Sequence, residues 1–144
     1  MLLDMGKSSL LIWCGNLILQ KDLHHVYLIL RNLLYLIFLN YPRVLADKGV
    51  QIIVDIAAWP PAKETGNPLP SWELASQRTG LPVVVCNQTG NPRWMDMTPG
   101  QSAVVENGKA KLLHSGEEAV LLFDWNPGTG KVVSDTFDIL TISN

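Results

Sequence analysis

The sequence predicts an α/β fold, and three observations carry the prediction. Residues 51–56 (QIIVDI) are β-branched and almost continuously apolar, as a strand covered on both faces should be. Residues 81–86 (LPVVVC) form a second run of the same kind. Between them Ser71 can cap a helix that continues to Gln77 and that Gly80 stops. Strand, helix and strand in that order form the unit from which parallel sheets are built.

The 144 residues are read as one domain, long enough to bury about two-thirds of its unfolded surface. Apolar residues make up 47% and charged residues 17%, a globular and not a disordered balance. A net charge of -2 gives no reason to expect nucleic acid or an anionic membrane as partner. Two cysteines, Cys14 and Cys86, lie too far apart in sequence to form a disulfide framework or a metal signature. Both are expected reduced, in the cytoplasm. His24 and His25 are adjacent and point different ways, a poor metal pair, and residues 126–130 (NPGTG) lack the spacing of a phosphate loop. No metal or cofactor is expected.

Taken from the start, residues 10–14 form an apolar run behind Lys7. A signal peptide is disfavoured by Asp4 in what would be its basic region and by Gly15-Asn16 breaking the run. Residues 26–39 (VYLILRNLLYLIFL) are the most hydrophobic stretch, too short to span a bilayer and interrupted by Arg31 and Asn32. As a helix this stretch is apolar nearly all round, which suits a core element or one awaiting a partner surface. It lies within residues 19–40, an atypical hydrophobic insert.

After the first strand, residues 57–70 carry Trp59-Pro60-Pro61, Gly66, Asn67, Pro68 and Pro70, too many breakers for any helix. Trp59 and Pro60 follow the end of a strand, where α/β folds place ligands, and are candidates for a substrate-crevice wall. Residues 87–90 turn out of the second strand, and Cys86 reads as a small buried hydrophobe. Asn107-Gly108 marks a hairpin between SAVVE and KAKLLH. Ser102 has no histidine near a base position, and His114 is expected at the surface. Residues 119–125 (AVLLFDW) are a last strong strand, and 131–144 a tail of weak strand character.

The residues in this order also resemble a known family. A strand ending in Ala-x-Trp-Pro, a Trp-containing helix, P-V-V-V-x-N-x-x-G (residues 82–90) and G-x-S-x-V (residues 100–104) are similar to the C-terminal half of the carbon–nitrogen hydrolase (nitrilase/amidase) superfamily. The resemblance implies a partial α-β-β-α sandwich of the nitrilase type and hydrolysis of a small amide or nitrile through a cysteine thioester. It implies a nucleophile at the end of a strand, in a pattern like G-K-x-G-L-L-I-C-x-D-L, and residues 6–18 (GKSSLLIWCGNLI) follow that pattern with Trp13 extra and Asn16 in place of Asp. Cys14 is then the nucleophile, and the Gly15 N–H a donor to the oxyanion. The family's arginine-bearing helix corresponds to residues 41–48, leading into Gly49.

A second register runs backward from Arg43 without an insertion and puts Leu33 at the nucleophile position, which would make the chain a dead relative. Cys14 is favoured because glycine, lysine, strand and cysteine arrive together there. The family's general-base glutamate and oxyanion lysine come from sequence upstream of the cysteine, and neither has a counterpart here. The alternative to an enzyme is therefore a non-catalytic truncated remnant or interaction module. A half-sandwich leaves apolar sheet surface uncovered, so a homo-oligomer is expected. In related hydrolases such tails often reach across a dimer.

Overall fold

A computed structural model of the chain describes residues 8–13, 16–19, 27–28, 50–90, 93 and 95–141. Its strands are β1 (Ser8–Trp13), β2 (Asn16–Leu19), β3 (Tyr27–Leu28), β4 (Ile53–Ala57), β5 (Val83–Asn87), β6 (Ser102–Glu106), β7 (Lys109–His114), β8 (Ala119–Asn126), β9 (Lys131–Val132) and β10 (Asp138–Thr141). Two helices, α1 (Ala62–Thr65) and α2 (Leu69–Thr79), lie between β4 and β5.

The strands form two sheets, and the protein is a mixed α/β structure. One sheet runs β3-β4-β5-β6-β7. Its β3-β4-β5 part is parallel, as the strand–helix–strand pattern requires, and β6 and β7 continue it antiparallel. The other runs β10-β8-β1-β2 and is antiparallel, with β9 paired to the end of β8.

Alternation along the strands sends side chains to two cores. Val54, Val84, Cys86, Val104 and Leu112 from the first sheet pack with Phe123, Trp125 and Val132 from the second. The two sheets therefore face each other. Phe137 closes one margin of this core, edge-on to Phe123 with ring centroids 6.0 Å apart. Ile53, Val83, Val85, Ala103 and Val105 point the opposite way and pack under Trp72 and Ala75 of α2. The layers run helix, sheet, sheet.

The loop 57–70, read as free of helix, instead contains α1. Pro60 and Pro61 precede it, where a missing N–H costs nothing, and Gly66 at φ 86° ends it. Helix α2 starts at Leu69, ahead of the expected Ser71 cap, because Pro70 falls in its first turn. The Leu69 N–H is taken by Asn67 Oδ1 at 3.0 Å. Gly80 stops α2 as expected, in left-handed conformation with its N–H on the Ser76 carbonyl at 2.9 Å. The hairpin turn also falls where the sequence puts it, Asn107 and Gly108 both having positive φ.

The apolar stretch 26–39 contributes a strand, β3, where a helix is expected; its other residues lie outside those described. Among the described residues no helix is long and apolar enough to cross a membrane.

Candidate functional site

Parallel strands β4 and β5 end side by side, and their outgoing chains separate. Beyond β5 the Gln88 N–H still bonds the Ala57 carbonyl at 2.9 Å. The chain after β4 then turns into the Trp59-Pro60-Pro61 loop, and that loop is held by one residue. Asn87, the last residue of β5 and buried, accepts the Trp59 N–H on Oδ1 at 2.7 Å and donates from Nδ2 to the Trp59 carbonyl at 2.9 Å. Its amide thus imitates a strand partner for a backbone that has left the sheet.

Asn87 also organises the chain on its other side. Its backbone N–H donates to Ser102 Oγ at 3.0 Å. A methyl group at Gly100 would stand 3.1 Å from Asn87 Nδ2 and 2.9 Å from the Met97 carbonyl oxygen. Glycine is required there by close approach, since any side chain would meet backbone. The Trp-Pro loop, the N-x-x-G turn and the G-x-S segment, far apart in sequence, therefore meet at Asn87.

Two cavities adjoin this junction, and Asn87 lines both. The larger, about 420 Å³, opens at the carboxyl ends of β4 and β5 and is lined by Ile56, Ala57, Ala58, Cys86, Gln88, Thr89 and Glu118. That is within the size range of a small-molecule site, at the position where α/β sheets bind ligands. The smaller, about 310 Å³, is lined by Pro60, Pro61, Lys63, Asn67, Pro99 and Gln101 among others. Of the crevice candidates, Pro60 lines this second cavity. Trp59 is half-buried, clamped through its backbone, and its buried Nε1 has no hydrogen-bond partner.

Cys14 and Gly15, the nucleophile and oxyanion candidates, lie outside the described residues, as does Leu33. The strand before Cys14, β1, belongs to the antiparallel sheet, where Trp13 pairs with Asn16 and the strand lies between β8 and β2. The strand beside β4 is β3.

Two features escape the sequence. His114, expected at the surface, is half-buried directly opposite Ser102 on the β6–β7 ladder. Its buried Nε2 has no hydrogen-bond partner, and the space between the two residues is only about 10 Å³. Ser102 is accordingly a structural acceptor and not an activated nucleophile. Asp55 on β4 is buried on the side of the sheet that carries Ile53, and burial pushes its pKa up to about 6. Strand alternation places it there, but an isolated Asp in an apolar run gives no sign of how its carboxyl is met.

Among the described residues no group of three or more His, Cys, Asp or Glu could hold a metal ion. No protein-family model and no curated protein matches the chain.

Proposed function

We propose that the chain is part of a carbon–nitrogen hydrolase of the nitrilase/amidase kind, a partial α-β-β-α sandwich whose crevice takes a small amide or nitrile. The observation that carries the reading is the junction at Asn87. The three sequence motifs behind the family resemblance converge on one side chain, beside a 420 Å³ cavity at the carboxyl ends of parallel strands. The cavity's walls are short and apolar at Ile56, Ala57 and Ala58, with amide and hydroxyl groups at Gln88 and Thr89. Such a lining suits a small polar group on a short carbon chain.

The proposed covalent step belongs to Cys14. Its thiolate attacks the amide carbonyl carbon, the C–N bond breaks, and ammonia leaves with the proton taken up by the leaving nitrogen. A thioester remains, which water hydrolyses to a carboxylic acid and free thiol. The oxyanion formed in each half is held by the Gly15 N–H together with the lysine that the resemblance places upstream, and a glutamate from the same region moves the protons.

One observation favours a second reading, a non-catalytic relative. The strand immediately preceding β4, and parallel to it, is Tyr27–Leu28, and its sequence continues toward Leu33, not Cys14. That is the order expected of the register with leucine at the nucleophile position.

Incubation with a panel of small amides and nitriles separates the two. The hydrolase reading expects ammonia release that is abolished in Cys14→Ala and persists in Cys86→Ala, with an acyl adduct on Cys14 by intact mass. Ligand binding without turnover, and without difference between wild type and Cys14→Ala, supports the non-catalytic relative. Neither binding nor turnover rejects both.

A further inference from the structure

The larger cavity has one charged side chain among its described lining residues. Glu118 stands in the turn between β7 and β8, at the mouth formed by the carboxyl ends of β4 and β5. The rest of the lining is apolar or neutral, apart from the Cys86 thiol.

That carboxylate is held in position from two sides. Its Oε1 lies against Gly90, where a methyl group would approach it to 3.4 Å, and Gly90 has φ 96°, a backbone position suited to glycine. The turn carrying it is tied to the cavity rim, since the Thr89 hydroxyl donates to the Gly116 carbonyl and the Gly116 N–H donates to Thr98 O at 3.0 Å. No ion pair or hydrogen bond occupies Glu118 itself; the salt bridge between described residues joins Lys63 and Glu64. A carboxylate with free acceptor positions at the mouth of an apolar pocket selects for a cation one short chain length from whatever the pocket holds.

We infer that Glu118 forms a cation subsite, so that this cavity prefers amides carrying an ammonium group at the far end of a short aliphatic chain. The inference rests on the reading of the cavity as the small-amide site. It adds the charge and the length of the ligand, which the family resemblance does not supply.

The test is calorimetric titration of the full chain with two probes of equal size and shape. These are δ-aminovaleramide, which ends in an ammonium, and hexanamide, which ends in a methyl. A solvent-facing charge pair gives a modest gain, so the wild type should bind the ammonium compound about fivefold more tightly. The ratio should shrink as salt is added. In Glu118→Gln it should fall to about one, and in the neighbouring control Glu117→Gln it should stay at the wild-type value. Equal affinity for both probes in the wild type, or a preference that survives Glu118→Gln, would overturn the subsite while leaving the cavity reading intact. Failure of both probes to bind would remove the cavity reading and the subsite with it.

Discussion

At Asn87 a single side chain does what two strands usually do for one another, supplying an acceptor and a donor to a backbone that has left its sheet. Replacing it by alanine removes both bonds and leaves the Trp59 N–H and carbonyl without them. Asn87→Ala should therefore cost about 2–4 kcal/mol in denaturant unfolding. Asn87→Asp should cost about as much, because a carboxylate keeps the acceptor and faces the Trp59 carbonyl without a proton to donate. Gly100→Ala presses a methyl group onto the Met97 carbonyl and should cost about 1–3 kcal/mol, read by the same measurement. A wild-type midpoint in either Asn87→Ala or Gly100→Ala would mean that the junction is softer than its distances imply. The motif residues Asn87, Gly100 and Ser102 were legible as a pattern, but their meeting was not. Hydrogen bonds between residues fifteen and twenty-eight positions apart leave no local signature.

Strand β4 carries a charge problem in the middle of an apolar run. Asp55 is 7% exposed, and its pKa is pushed up to about 6 from an ordinary 3.8 by burial. The folded protein therefore holds this proton more tightly than the unfolded chain does. Its contribution to stability is fully present below the ordinary value of 3.8 and is lost as pH rises through about 6. A shift of that size corresponds to about 3 kcal/mol. Asp55→Asn should flatten the fall in unfolding free energy between acidic and neutral pH, as followed by urea titration at several pH values. Parallel pH profiles for wild type and variant would assign the dependence elsewhere. At this scale the sequence was most readable where side-chain pattern and local backbone rules agree, as in β5, the Gly80 stop and the Asn107-Gly108 hairpin. It misled where proline was taken only as a breaker, because Pro61 and Pro70 stand at helix starts, where the ring is tolerated.

At the scale of the molecule, one face of the parallel-containing sheet is covered by α2 and the other by the second sheet. Val120 and Leu122 alternate with the buried residues of β8 and so lie on the far side of that second sheet, half-buried. Edge strand β10 beside them exposes Ile139 and Leu140 by 48% and 56%. An edge of this composition invites pairing with another copy, and a homo-oligomer is proposed on that ground. Ile139→Lys with Leu140→Lys should shift sedimentation toward a smaller species, and an unchanged distribution would place any association elsewhere. The α/β class and the order of elements from β4 to β8 could be read from periodicity. The pairing of β1 with β8 could not, because that contact joins the two ends of the chain and is decided by which faces remain to be buried.

The account turns on the cavity at the ends of β4 and β5 being the place where a small amide binds. Titrating the isotopically labelled chain with δ-aminovaleramide and following backbone amide resonances reads this directly. Shifts should concentrate at Ala57, Ala58, Gln88, Thr89 and Glu118, and be weaker with hexanamide. Shifts that spare these residues, or that cluster instead around Lys63 and Gln101 in the neighbouring cavity, would contradict it.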